Sequence, residues 1–144
     1  MSLGEKIANL RKKNNFSQED LAERVGVTRQ TISKWELGYD PITLKRLVKF
    51  CNLYNYSLDY VCGLSKYNKK YNKKIYLNSK TIGLKLKKIR NFLKLSQDKF
   101  ADKCSMAQST YSHYENGINL ITFLNLYIIS KTYNVSMDWI IDRK

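Results

Sequence analysis

Apolar residues recur every three or four positions along most of the chain, which is the spacing that predicts amphipathic α-helices. The first predicted helices of the two halves show it clearly: Leu3, Ile7 and Leu10, then Ile82, Leu86 and Ile89. Neither half contains the strict alternation of apolar and polar residues that is typical of a half-buried strand. Short helices are stable only when they pack together, so the pattern predicts an all-α fold.

The helical pattern occurs twice. Residues 17–38 have the sequence SQEDLAERVGVTRQTISKWELG, and residues 96–117 repeat its skeleton as SQDKFADKCSMAQSTYSHYENG. Residues 4–64 align with residues 83–143 without a gap, and 17 positions are identical. The repeat therefore favours two small domains over one. We expect a first domain at residues 1–64, a basic linker at 65–81 and a second domain at 82–144.

Turn and cap residues divide each half into helices. Gln18–Val25 is predicted as a helix, residues 26–28 as a tight turn and residues 29–36 as a second helix, which together form a helix-turn-helix. In the second half Ser105 replaces Gly26, and a left-handed backbone there would cost about 1 kcal/mol. The predicted N-caps are Ser2 and Thr81, Ser17 and Ser96, Ser57 and Ser136, and Thr28 matched by Ala107, which has no capping oxygen.

The charge of the chain indicates what kind of partner it binds. The chain has 26 Lys and Arg against 12 Asp and Glu, a net charge of +14. All three predicted segments are basic, and residues 65–81 contain no acidic residue. A polyanion is therefore the expected partner. The alternative is a basic surface that contacts only solvent.

Several short motifs connect the chain to a known family. The first half contains LR at Leu10–Arg11, SQ at Ser17–Gln18, then LA, VG and WELG, and the second half contains IR, SQ, FA and YENG. With these motifs the sequence resembles the lambda-repressor and Cro-like helix-turn-helix family, also called the xenobiotic-response-element family. The resemblance extends over nearly all of the chain outside residues 65–81. It implies two five-helix domains, each inserting its third helix into the DNA major groove, with no cofactor.

A helix that reads the major groove needs long polar side chains near its start. Arg29 suits guanine and Gln30 suits adenine, while Lys34 reaches a base or a phosphate. Because the two helices carry different residues, we expect them to prefer different half-sites; the alternative is drift that left the second helix inactive. The predicted contacts are Thr28, Arg29, Gln30, Ser33 and Lys34 in the first half, and Gln108, Ser109, Ser112 and His113 in the second.

Two further sets of residues support the predicted reading helices. Gln18 and Gln97 begin helices whose free amides favour a phosphate, and the resemblance implies the same clamp; the alternative is an ordinary exposed polar residue. The resemblance also implies structural ion pairs between helices 1 and 3. These pairs are Arg11 with Glu36 and Arg90 with Glu115.

The connecting segment SKYNKKYNKKIYLNSKT permits two interpretations. A block of like charge resists compact folding, which predicts a solvated tether. Alternatively the segment is an arm that contacts DNA, with Tyr67 and Tyr71 stacking on bases. Its phosphate contacts would then be Lys69, Lys70, Lys73 and Lys74.

Enzyme and metal sites are not expected. The chain has one histidine and no phosphate-binding glycine loop, and residues 142–144 resemble only part of a nuclease motif without upstream carboxylates. Cys104 aligns with Val25 and is expected to be a small buried hydrophobe. No run of apolar residues suits a membrane span or a signal peptide. We therefore predict a cytoplasmic, nucleoid-associated protein without metal or cofactor.

The fourth predicted helices differ on one face. Lys45 and Lys49 of the first half are replaced by Leu124 and Ile128 in the second, four residues apart and so on the same face. Exposed aliphatic residues in such a pair indicate a contact surface. We expect a homodimer formed by the second domains; the alternative is packing under Ile75 and Leu77 of the same chain.

Together these patterns predict a regulator that binds double-stranded DNA sequence-specifically, such as a bacterial or prophage repressor occupying an operator. The alternative is a protein in which one half binds DNA and the other binds protein, like an antitoxin or a repressor partner.

Overall fold

The computed structural model describes residues 1–143, so Lys144, the last residue of the predicted second domain, lies outside the described residues. Over that range the chain is helical and has no β-strand. It divides into two compact units, Met1–Lys70 and Tyr71–Lys144. The all-α class with tandem five-helix domains is confirmed, whereas the domain limits at 64 and 82 stay a prediction.

The first unit contains five helices joined by short turns. They are α1 (Leu3–Lys13), α2 (Gln18–Val25), α3 (Arg29–Leu37), α4 (Leu44–Tyr54) and α5 (Leu58–Val61). Every one begins after a hydroxyl residue whose side chain accepts a backbone N–H, which satisfies an amide that the helix itself leaves without a partner. The caps predicted at Ser2, Ser17, Thr28 and Ser57 are confirmed.

The second unit repeats this order. Its helices are α6 (Ser79–Phe92), α7 (Gln97–Lys103), α8 (Gln108–Glu115), α9 (Phe123–Tyr133) and α10 (Met137–Ile140). Ser96 and Ser136 cap α7 and α10 as predicted. The cap predicted at Thr81 is wrong, because the Asn78 side chain accepts from the amides of Lys80 and Thr81 and starts α6 three residues earlier.

Each unit has its own core, built from the apolar face of every helix. The pattern of the repeat is kept, but at two core positions the second unit has aromatic rings where the first has aliphatic chains. Phe100 and Tyr111 replace Leu21 and Ile32, and their ring centroids lie 4.5 Å apart. The most buried side chains include Ile7, Leu21, Ile32, Leu47 and Leu58 in the first unit and Ile82, Leu86, Phe100, Leu126 and Ile129 in the second.

Candidate nucleic-acid interface

The α2–α3 turn sets the direction of α3, the first of the two predicted reading helices. Gly26 ends α2 in the left-handed conformation with φ of 76°, a region that glycine adopts without strain. Thr28 then caps α3, with its hydroxyl accepting from the amide of Thr31 at 3.2 Å. Ile32 and Trp35 are buried and fix the inner face of α3. The opposite face of the helix is therefore held outward.

The outward face of α3 carries the predicted base contacts. Arg29, Gln30 and Lys34 are exposed, and Ser33 is half-buried. Thr28 is exposed at the start of the helix. The structure thus brings the five predicted side chains of this unit onto or beside one helix start, as a groove-reading helix requires.

An ion pair joins α1 to α3. Arg11 Nε donates to Glu36 Oε2 at 2.7 Å, and Arg11 Nη2 donates to Oε1 at 3.0 Å, so the contact is bidentate. The third guanidinium nitrogen donates to the carbonyl oxygen of Phe16 at 2.7 Å. The hydrogen bond to Glu36 raises the pKa of Arg11, which keeps the guanidinium charged.

Gln18 extends this ion pair towards the reading helix. Its amide nitrogen donates to Glu36 Oε1 at 3.1 Å, and its amide oxygen accepts from Arg29 Nη1 at 3.3 Å. The first helix, the start of α2 and the first residue of α3 are thereby connected by side-chain hydrogen bonds. Periodicity cannot reveal this link, because it depends on three helix ends meeting.

The second unit has the same ion pair. Arg90 Nη2 donates to Glu115 Oε1 at 2.7 Å, and Gln97 Nε2 donates to the same oxygen at 3.3 Å. Burial disfavours the Glu115 carboxylate, but hydrogen bonds that include those from Arg90 and Gln97 outweigh it, so the pKa of Glu115 lies below its ordinary value. The carboxylate is therefore ionised at neutral pH.

The second predicted reading helix, α8, has weaker local support from its turn and its cap. Ser105 occupies the left-handed position with φ of 53°, where the first unit has glycine. Ala107 precedes α8 and makes no side-chain cap bond. The predicted contacts are nevertheless on the outer face: Gln108, Ser109 and His113 are exposed, and Ser112 is half-buried.

Two glycines allow the first and third helices of each unit to touch. A Cβ placed on Gly4 would lie 2.3 Å from the carbonyl oxygen of Trp35, and one on Gly83 would lie 2.3 Å from that of Glu115. Only glycine tolerates such an approach between backbones. The repeat pairs these two glycines, but no local pattern in the sequence indicates that helix backbones meet there.

The connecting segment has contacts with each unit. Asn68 accepts from the Ser57 amide at 2.7 Å and donates to the carbonyl oxygen of Asn55 at 3.1 Å, within the first unit. Within the second unit, the Arg143 guanidinium lies 4.6 Å from the Tyr71 ring centroid, and Ile75 is buried. The four lysines predicted to meet phosphates are exposed: Lys69, Lys70, Lys73 and Lys74.

The predicted interface residues lie on the outer side of α9. Leu124 is 65% exposed, and Ile128 is half-buried. The counterparts Lys45 and Lys49 on α4 are exposed. Ile75 is buried. The alternative in which Ile75 and Leu77 of the same chain cover Leu124 does not agree with the exposure of Leu124.

Other chemistry has little support in the described part of the chain. Among residues 1–143, no three His, Cys, Asp or Glu side chains are grouped as metal ligands would be. Cys104 is buried, and its burial raises the pKa of the thiol, which disfavours the reactive thiolate. No helix in this range has the length and apolar character needed to cross a membrane.

Named relatives are transcriptional regulators. The chain is 34% identical over 70 residues to the HTH-type transcriptional regulator ImmR of Bacillus subtilis, covering 49% of this chain and 55% of ImmR. It is 33% identical over 63 residues to the cryptic phage CTXphi transcriptional repressor RstR of Vibrio cholerae, covering 44% and 56%. The chain thus spans about half the length of these two relatives.

A shorter relative is matched almost completely. The uncharacterized HTH-type transcriptional regulator YgzD of Bacillus subtilis is 36% identical over 63 residues, which cover 44% of this chain and 96% of YgzD. The Helix-turn-helix family model matches twice, at residues 7–61 and 86–140. These matches confirm the resemblance seen in the sequence. Since they take in most of the chain, this protein belongs to the helix-turn-helix family, with one copy of the domain in each half.

Proposed function

We propose that the chain is a transcriptional regulator that binds double-stranded DNA sequence-specifically and represses by occupying an operator, in the manner of a bacterial or prophage repressor. The observation that supports this most is the start of α3, where Arg29 and Gln30 are exposed and Gln18 links Arg29 to the Arg11–Glu36 pair. The relatives' names as regulators and repressors point the same way. Action at an operator would place the protein at the nucleoid.

Each group of predicted contacts has its own task in this proposal. Residues at the start of α3 and α8 read base edges, which specify sequence. Gln18 and Gln97 position the domains on phosphates, and the four linker lysines add attraction that is independent of sequence. The Arg11–Glu36 and Arg90–Glu115 pairs hold the third helix in place.

Selection of bound fragments from random double-stranded DNA tests the proposal. The full chain should enrich a defined motif, and replacing Arg29 and Gln30 together by alanine should remove the preference. Replacing Gln108 and His113 by alanine should alter a separate part of the motif if both helices read DNA. Enrichment of no motif by the wild type would refute sequence-specific binding.

A second candidate function follows from the uneven quality of the two motifs. The missing cap at Ala107 and the left-handed Ser105 weaken the second reading helix, while α9 exposes Leu124. In this version the first unit alone binds DNA, and the second forms a homodimer or binds a partner protein. It predicts that only the Arg29 and Gln30 pair affects binding to any selected sequence.

A further inference from the structure

An open apolar groove lies in the second unit, where the end of α6 meets the junction of α9 and α10. Its volume is about 450 Å³, and its apolar walls come from Ile89, Phe92, Leu93, Tyr133, Val135 and Trp139. Phe92 is 86% exposed, so its ring projects into solvent at the rim. A large exposed ring beside a concave apolar wall indicates a binding surface rather than a scattered apolar residue.

The first unit shows the same place in a closed form. Tyr56, the counterpart of Val135, is buried, and its ring centroid lies 6.3 Å from that of Phe50. The Tyr56 hydroxyl accepts from Asn14 Nδ2 at 2.9 Å, and Asn14 is the counterpart of Leu93. In the second unit Val135 therefore stands in place of the Tyr56 ring, and the apolar Leu93 in place of the polar Asn14. The smaller side chain opens the groove.

The outer face of α6 continues this surface. Leu84, Lys88 and Phe92 are four residues apart, so they share one face of the helix. Leu84 is 63% exposed. The counterparts of these residues on α1 are all polar: Glu5, Asn9 and Lys13. The duplicated fold thus does not need apolar residues here, and their presence requires another explanation.

The charged residue among those that line the groove is Lys88, which is exposed. Lys85 Nζ lies nearby, 4.2 Å above the Trp139 ring, but its charge is paired with Asp142 at 3.3 Å. None of the described residues that line the groove is acidic. A second copy docked symmetrically through this groove would bring the two copies of Lys88 together. A lipid surface would contact the rim but leave the concave wall unfilled.

We propose that this groove binds an acidic amphipathic helix of another protein. Apolar side chains at helical spacing enter between Phe92 and Trp139, and carboxylates on the flanking turns meet Lys88. The second unit would thereby be a docking module for a regulator partner. The proposal does not rest on DNA binding, because the groove residues are not among the predicted DNA contacts.

The natural counterparts supply a matched variant. The triple substitution Leu84→Glu, Phe92→Lys and Leu93→Asn copies residues that the first unit carries at these positions, so the fold should persist. Lys88→Glu is a second variant that keeps the apolar wall and reverses the charge. Both variants should bind the selected operator DNA as the wild type does, since neither changes a predicted DNA contact.

Two tryptophans make binding visible in the full chain. Trp35 is buried in the first unit, whereas Trp139 lines the groove. In protein labelled with 5-fluorotryptophan, ¹⁹F NMR should give one resonance for each. The probes are peptides selected from a displayed library of helix-forming sequences against the full chain alone, and their binding to the triple variant is measured afterwards.

We expect the selected peptides to carry apolar residues at helical spacing with Asp or Glu beside them, and to shift the Trp139 resonance but not that of Trp35. The triple variant should weaken their binding about tenfold or more, as loss of central anchors does. Lys88→Glu should weaken the binding of acidic peptides and leave the binding of uncharged peptides unchanged. Peptides that bind the triple variant equally, or that are mainly basic, would overturn the proposal.

Two other occupants give different results. If a second copy fills the groove, the wild type alone should already show a concentration-dependent Trp139 shift, and the triple variant should reduce the sedimenting mass. If anionic phospholipid vesicles shift Trp139 as strongly as any peptide, the surface binds membrane instead. Either result would refute the partner helix.

Discussion

At the scale of single residues, one glutamate in each domain connects its helices by hydrogen bonds. Glu36 on α3 accepts from Arg11 of α1 and from Gln18 at the start of α2. Glu115 has the same place in the second unit, bonded to Arg90 and Gln97. A carboxylate with several donors in a partly buried site is costly to disturb, because removing its charge leaves the donors without their partner.

Protonation of Glu115 should destabilise the second unit. The pKa of this carboxyl is lowered in the folded protein from an ordinary value of 4.5. Its contribution to stability is therefore fully present above that value and is lost as the pH falls through the lower, folded pKa. Hydrogen exchange of α6–α8 measured from neutral to acid pH should show this loss in the wild type. Glu115→Gln should lower the hydrogen-exchange protection of α6–α8 at neutral pH and flatten its pH dependence. A difference between wild type and variant that stays the same at every pH would contradict the argument.

Single exposed cations should separate base reading from general attraction. Arg29→Ala should reduce the free energy of DNA binding by about 1 to 3 kcal/mol and relax the base preference at one position. Lys73→Ala should instead weaken binding to all DNA sequences alike, because a phosphate contact carries no sequence information. Competition binding on a randomised operator library measures both effects. A uniform loss from Arg29→Ala would show that it contacts phosphate only.

At the scale of elements, the two helix-turn-helix motifs are the same backbone built with different residues. Each has a left-handed residue after its second helix, Gly26 in one unit and Ser105 in the other. In both units a glycine of positive φ also follows the third helix, Gly38 as the cap of α3 and Gly117 one residue beyond the cap of α8. The fold therefore requires this backbone, and the second unit adopts it at a cost.

Exchange of the two turn residues should reveal that cost. Ser105→Gly should stabilise the second unit by about 1 kcal/mol, because glycine adopts positive φ without the clash that Cβ introduces. Gly26→Ser should destabilise the first unit by a similar or larger amount, since the new Cβ would lie 3.1 Å from Arg46 Nη1. Native-state hydrogen exchange of the full chain resolves the units. A destabilising Ser105→Gly would mean that the serine makes a compensating contact.

At the scale of the whole molecule, charge is the dominant property. We expect the net charge of +14 and the exposed lysines of the connecting segment to make several phosphate contacts. If about six are made, the logarithm of the DNA association constant should fall with the logarithm of salt concentration at a slope of about −5. Titration of a selected operator at several salt concentrations measures this slope. A slope near zero would mean that the basic charge does not meet DNA.

Self-association through α9 is the other whole-molecule prediction. Burial of Leu124 from each partner should contribute about 1.5 to 3 kcal/mol before association entropy is subtracted, and Ile128 should contribute less because it is already half-buried. A symmetric dimer would present paired reading helices to a symmetric operator. Sedimentation across micromolar concentrations should therefore show a dimer, and the combined change of both residues to lysine should dissociate it.

The control for this change is Ile118→Lys, which adds charge at an exposed aliphatic residue outside α9. This variant should still form the dimer. A monomeric wild type, or a double variant that dimerises unchanged, would contradict the predicted interface.

The sequence by itself determined the helices, the duplication and the family, because these depend on local features. Apolar spacing, Ser and Thr caps and the motif around Gln18 act within a few residues, and the repeat presents each of them twice. The exposure of the proposed DNA contacts on α3 and α8 could be predicted for the same reason: buried neighbours at helical spacing leave them on the outer face.

Tertiary structure alone decided the features that depend on residues distant in sequence. The bonds from Gln18 to Glu36 and Arg29 exist because three helix ends converge. The Gly4 and Gly83 contacts require two backbones to meet, and the groove beside Trp139 opens only because Val135 packs where the first unit has a ring. Periodicity assigns a residue to a face of its own helix, but the neighbour of that face is set by how the helices pack.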